Sequence, residues 1–173
     1  MQLIHTESRV MYSLCLDQAL QTTGWAMYDD ESLMDYGHFT ISPTGTIPKR
    51  LGDLWKQLEE LNKSFSIDQV FYEDIQSQQN VETFKKLAYV QATVILWCYF
   101  RDKKCTALAP SHWRSILKER YKVSFGRSRN EQKAAAKSFV KEHFRCEATE
   151  DECDAICLGL AGLQEKKQKT SAF

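Results

Sequence analysis

The run "VMYSLCLD" at residues 10–17 constrains the fold most, because it is mostly apolar and ends on an acid. Such a run reads as a central strand whose end lines a site. Asp17 is that end. After the polar turn "QALQTT" come "GWAMY" and, past "DDES", "LMDYGHFTI", two aromatic-rich runs that read as antiparallel strands joined by a tight turn. "PKRLGDLWKQLEELNKSF" carries Leu51, Leu54, Trp55, Leu58 and Leu61 at helical spacing behind Pro48, which predicts an amphipathic helix. "IDQVFYED" follows as a strand ending in Glu73 and Asp74.

The segment from about 79 to 101 is helical but has no clean polar face in its second half, where Val94, Ile95, Trp97, Tyr99 and Phe100 crowd together. It is either a central core helix or a helix with one face against another subunit. "KCTALA" is a short strand and "PSHWRSILKERY" a helix opened by Pro110. Ser128 and Glu131 match a capping box that opens a helix running to about Arg145, and Thr149 with Glu152 matches a second. The order predicts an α/β fold: a mixed five-stranded sheet, three strands antiparallel and then two parallel, flanked by helices. Residues 10–164 form one domain, residues 1–9 an N-terminal extension, and the basic tail "EKKQKTSAF" at 165–173 a flexible end.

No basic-then-apolar leader and no apolar run of about 20 residues is present, so the expectation is a cytoplasmic protein with no membrane partner. The six cysteines form no CxxC pair, which favours reduced core thiols over disulfides or zinc. The zero formal net charge hides two halves of opposite sign. Residues 101–145 hold thirteen Lys/Arg against four acids, a net +9, and residues 17–74 hold eleven acids against four bases, a net −7.

The acids concentrate again at "TEDECDAICLGLAGL", residues 149–163. A helix start tolerates one or two acids, because its free N–H groups and dipole favour negative charge. With Thr149 as cap, Asp151 and Asp154 fall at i and i+3 on one face, and Asp154 sits beside the buried face of Cys153, Ile156, Cys157 and Leu160. Two carboxylates held together raise one another's pKa unless a cation or proton is shared between them. Oxygen-only ligands suit Mg²⁺ or Mn²⁺, and the strand-end acids Asp17 and Glu73 are candidates to complete the set. Taken singly, each acid also has a plainer reading as a strand terminus or a helix cap. Arg129, Lys133, Lys137, Lys141 and Arg145 recur every four residues, either as a solvated face or as a surface for an anion.

In order and spacing these pieces resemble the RuvC-type Holliday junction resolvases of the ribonuclease H-like superfamily, from about Val10 to Leu163. The resemblance rests on "LCLDQALQTTGWAMYD", Tyr36-Gly37, "FYEDIQ", "APSHWRSIL", "EQKAAAKSFV" and "EDECDAICLGL". It implies a ribonuclease H-like fold and a crossover junction endonuclease acting as a homodimer on four-way junctions, with three-way forks added by the departure at Gln76 described below. It also implies two divalent ions, Mg²⁺ or Mn²⁺, held by Asp17, Glu73, Asp151 and Asp154, with Glu150 and Asp74 ranked below their neighbours. Arg114 and Lys133 match the basic residues beside the scissile phosphate, while Arg129, Lys137, Lys118, Arg120 and Arg127 follow as DNA contacts. The position of the family's junction-wedge aromatic is Gln76, and Asp17-Gln18-Ala19 replaces the usual glycine-containing turn. The polar wedge position fits a viral or phage-type member with broader activity on branched DNA. Two other functions are compatible with such a core. One is a non-catalytic branched-DNA binding protein; the other, an ATP-using relative, is disfavoured by the short chain and by seven unclustered glycines.

Overall fold

The computed structural model describes residues 10–76 and 80–171. Strands β1 (Tyr12–Asp17), β2 (Thr22–Asp29), β3 (Ser32–Thr40), β4 (Gln69–Glu73) and β5 (Lys104–Leu108) form one sheet in the order β3-β2-β1-β4-β5. The first three pair antiparallel, and β1–β4 and β4–β5 pair parallel, as the sequence predicts. The helices are α1 (Ile47–Phe65), α2 (Val81–Phe100), α3 (Pro110–Tyr121), α4 (Arg129–Phe144) and α5 (Glu150–Ser171).

Both faces of the sheet are covered, which is why β1 is mostly apolar. Leu14 and Leu16 pack into a core with Leu54 and Leu58 of α1 and Val90, Val94 and Trp97 of α2. Cys15 packs into the other core, with Trp113 of α3, Val140 of α4 and Ile156 of α5. Side chains alternate along a strand, so Asp17, two residues past Cys15, points to the α5 side. In β4 the same alternation puts Phe71 in the α5-side core and Val70 and Tyr72 in the other, so Glu73 shares the side of Asp17. The parallel register pairs Leu16 with Tyr72. One step further, Asp17 and Glu73 end their strands as neighbours.

Helix α5 lies close on the sheet. A Cβ on Gly159 would come within 2.5 Å of Cys15 Sγ, and one on Gly24 within 2.1 Å of the Asp151 carbonyl oxygen. Only glycine lets β2 approach the first turn of α5 so nearly. Both capping boxes form. Ser128 Oγ accepts from Glu131 N–H at 3.2 Å, and Thr149 N–H donates to Glu152 Oε2 at 2.7 Å.

The tail expected from residue 165 lies in α5, which continues through Ser171. Lys167 pairs with Glu31 at 2.8 Å and Asp30 at 3.6 Å, which ties this turn of the helix to the β2–β3 connection. The expected extension at residues 1–9 lies outside the described residues, as does most of the polar stretch after Gln76. All six cysteines are free thiols. Among the described residues no helix is long and apolar enough to cross a membrane.

Candidate active site

The ends of β1 and β4, the start of α5 and the facing sides of α3 and α4 enclose a pocket of about 540 Å³. Asp17, Glu73, Asp151 and Asp154 all line it. Arg114, Arg129 and Lys133 line it as well, and Gln76 stands exposed at its edge. Residues far apart in sequence thus meet because strand alternation and the close seat of α5 aim them at one space.

The acids are held by specific partners. The Gln18 side chain, buried behind Asp17, donates from Nε2 to the Glu73 carbonyl at 2.5 Å and accepts the Glu73 N–H at 3.2 Å. The turn after Asp17 is closed by Thr23 Oγ1, which accepts from the Ala19 N–H at 3.3 Å and donates to the Ala19 carbonyl at 3.1 Å. Trp113 Nε1–H donates to Glu73 Oε1 at 2.9 Å. The first turn of α5 is braced from β3, where His38 Nδ1 lies 2.7 Å from Glu152 Oε1 and Tyr36 O–H donates to the Glu147 carbonyl at 3.1 Å. Sequence reading missed Gln18, Trp113 and His38. A tryptophan placed in the core needs an acceptor for its N–H, and that was the only readable hint.

Electrostatically the carboxylates are under strain. Burial first, then Glu73, Asp154 and Asp151, raise the Asp17 pKa well above the carboxylate range, with Lys133 opposing. Asp154 is pushed up to about 6 by burial and Glu73, against Arg114 and Lys133. Burial also raises Glu73, offset by the Trp113 hydrogen bond, Arg114 and Arg129. A cluster that resists full ionisation favours a bound cation. Four hard oxygen donors fit Mg²⁺ or Mn²⁺. Among the described residues, no three His, Cys, Asp or Glu side chains converge tightly enough to cage an ion as they stand. The carboxylates line the pocket without forming such a cage.

The remaining candidates separate. Asp74 lines the pocket, but its Oδ1 accepts from Gln91 at 3.3 Å. Glu150 is exposed and bonds Lys133. The five-cation row of α4 is partly neutralised within the chain, because Lys141 also pairs, with Glu147 at 2.6 Å. The carboxylates around the start of α5 thus meet part of the demand for an anion along that row. Lys118 and Arg127 line a neighbouring groove, and Lys137 is exposed outside the lining of both. Arg114 stacks on the Trp113 ring at 4.5 Å, and its Nε is buried without a hydrogen-bond partner among the described residues.

No protein-family model matches the chain. The crossover junction endodeoxyribonuclease RuvC of Nitratidesulfovibrio vulgaris (strain Hildenborough) is 31% identical over 122 residues, covering 68% of this chain and 69% of the relative. RuvC of Finegoldia magna is 21% identical over 163 residues, covering 92% and 96%. Among solved structures, T. thermophilus RuvC in complex with Holliday junction substrate superposes with a TM-score of 0.71 at 13% identity, covering 91% of this chain and 96% of that one. The yeast mitochondrial Holliday junction resolvase Ydc2 gives 0.64 at 13%, covering 94% and 81%. The two structures establish a shared ribonuclease H-like fold; the first relative, with its identity and coverage, establishes that the chain belongs to the RuvC family of crossover junction endodeoxyribonucleases.

Proposed function

We propose that this protein is a divalent-metal-dependent, structure-selective DNA endonuclease that nicks Holliday junctions and other branched DNA in the cytoplasm, in recombination, repair or debranching. The observation that carries this reading is one pocket in which Asp17, Glu73, Asp151 and Asp154, from three separate elements, stand with Asp74 opposite three basic side chains. Carboxylates alone would repel a phosphodiester, so the pocket as drawn has use for both a cation and an anion.

Two Mg²⁺ or Mn²⁺ ions, when bound, supply Lewis-acid activation of water and stabilisation of the leaving oxygen in phosphodiester hydrolysis. Asp17, whose carboxyl is pressed by burial and by all three of the other acids, would hold the ions together with Glu73, Asp151 and Asp154. Arg114, Arg129 and Lys133 hold the phosphate by charge and hydrogen bonds. Lys133 exchanges Glu150 for the phosphate when DNA enters. Trp113 keeps Glu73 Oε1 turned to a fixed direction, so the acid does not reorient at each turnover.

Symmetric nicks in opposing strands call for two sites related by a dyad. Helix α2 leaves Tyr89, Ile95, Leu96, Tyr99 and Phe100 exposed, Tyr99 by 78%. Such an apolar surface supports a homodimer through this helix.

The test is nicking of a synthetic four-way junction with Mg²⁺ or Mn²⁺ by wild type, Asp17→Asn and Asp154→Asn, with binding measured in parallel. The expected result is cleavage by wild type, and binding without cleavage by both variants. Binding without cleavage by all three, under any metal, would make the protein a non-catalytic branched-DNA binder.

A further inference from the structure

We propose that Gln91 of α2 is a positioning residue: it fixes the chain leaving β4, from Asp74 to Gln76, so that this segment sets the distance between the acid pocket and the branch point of the DNA. This rests on the reading of that pocket as the nuclease site. Gln91 Oε1 accepts the Ile75 N–H at 3.1 Å, and its Nε2 donates to Asp74 Oδ1 at 3.3 Å. An N–H and a carboxylate oxygen on adjacent residues call for an acceptor and a donor side by side, which one primary amide supplies.

The sheet itself stops just short of this segment. Glu73 is the last β4 residue in register with β5, opposite Leu108, and the Asp74 N–H still reaches the Leu108 carbonyl at 2.9 Å. The next amide, at Ile75, lies beyond the ladder, and Gln91 takes it. On the other side Gln18 grips the Glu73 backbone. Two glutamines, from the end of β1 and from α2, thus carry the order of the sheet past the acid. Gln76 follows directly, exposed at the pocket edge.

The helix makes Gln91 a firm anchor. Thr83 and Leu87 line the acid pocket, and Gln91 continues that face at i, i+4 and i+8. Val90 and Val94 are fully buried in the core beside Leu14 and Leu16, so α2 cannot slide on the sheet without disturbing that packing. From Glu73 to Gln76 the chain reaches at most about 10 Å, comparable with about three nucleotides of one DNA strand. A segment of that length, held at Glu73 by Gln18 and at Ile75 by Gln91, abuts the branch and keeps the scissile phosphate over Asp17 and Glu73 at a constant distance. A loose segment of the same length would let the branch settle at several positions.

The experiment maps cut positions to the nucleotide, under single turnover with Mg²⁺ or Mn²⁺, on four-way junctions that share an immobile branch point and differ in core sequence. The full-length proteins are wild type, Gln91→Leu, the milder Gln91→Asn, and Gln91→Glu alone and with Asp74→Asn, each checked by a thermal melt. Wild type is expected to cut mainly at one phosphate, at the same distance from the branch in every junction. Gln91→Leu keeps the bulk but loses both bonds, and should raise the share of cuts at neighbouring phosphates about 5-fold, the scale of one hydrogen bond. Gln91→Asn, too short to reach both groups, should spread the cuts in the same way. Gln91→Glu sets two carboxylates against each other and should spread them as well. Adding Asp74→Asn should bring the spread back to within about 2-fold of wild type, because donor and acceptor have only changed places. Slower cleavage at an unchanged position in Gln91→Leu and Gln91→Asn, or no rescue in the double variant, would overturn the positioning role and leave the nuclease reading intact. Wild-type cuts that follow the core sequence instead of the branch would overturn it as well. Absence of cleavage by wild type under either metal would overturn the nuclease reading itself, and the inference with it.

Discussion

The Gln18 side chain bonds the backbone of Glu73 in both directions, at 2.5 Å through the carbonyl and 3.2 Å through the N–H. It acts as an extra rung between β1 and β4, placed where the sheet ladder ends and the two acids begin. Gln18→Ala removes both hydrogen bonds from a partly buried site and is expected to cost about 1–3 kcal/mol in a urea melt. Because the rung sets the Asp17–Glu73 spacing, the metal concentration for half-maximal cleavage should also rise. Unchanged metal dependence at reduced stability would mean that the rung only holds the sheet.

Removal of divalent metal should expose the repulsion among the carboxylates as a pH effect. Burial and neighbouring acids raise Asp17 and Asp154, the latter to about 6, so the folded state holds protons that the unfolded chain releases. Metal-free stability is then greatest below the unfolded carboxyl pKa of about 4 and falls as pH rises through about 6. Thermal melts should show this decline in EDTA, with Mg²⁺ restoring more stability at pH 8 than at pH 5. A flat profile in EDTA would count against a mutually repelling cluster.

Asp154→Asn removes one buried charge and should therefore stabilise the metal-free protein at pH 8, by about 1 kcal/mol or roughly 2–4 °C at this chain length. Its cleavage should be lost. Stability and activity moving in opposite directions is the expected mark of a ligand residue, since a carboxylate serving only as a helix cap would lower stability when neutralised.

Lys133 faces both the acid pocket and Glu150, which makes the two residues unequal in effect. Lys133→Ala should slow single-turnover cleavage about 100-fold or more, the scale for one removed charge-stabilising donor. Glu150→Gln should stay within about fivefold, because a surface ion pair contributes about 1 kcal/mol at most. Comparable losses in both would place Glu150 in the reaction.

Gln76 stands exposed at the pocket edge, and its side chain offers no ring to enter a junction. Wild type should cut three-way and four-way branches at rates within about 10-fold, and Gln76→Phe should shift preference to the four-way form. A spread of this size corresponds to about 1.4 kcal/mol, within reach of one base–aromatic stack. Strict four-way selectivity in wild type would refute the broader specificity.

Local signals account for most of what could be read from the chain without its structure. The apolar β1 run, the helix periodicities and both capping boxes depend on residues within a few positions of one another, so element order, sheet class and strand-end acids were legible. The pattern at Thr149 to Asp154 pointed to a paired-acid helix start because i and i+3 geometry is intrinsic to a helix. Tertiary packing decided the rest. Gly24 and Gly159 let α5 sit against the sheet closely enough to bring its acids to Asp17 and Glu73. Gln18, Trp113 and His38 acquired their roles from partners 55, 40 and 114 residues away, a separation no local pattern encodes. The cation row of α4 could be read as a solvated face or an anion surface, yet the fold gave Lys133 and Lys141 acids, while Lys118 and Arg127, outside the row, make no ion pair among the described residues. Charge spacing along a helix follows from covalent geometry, but charge pairing depends on which other element arrives beside it.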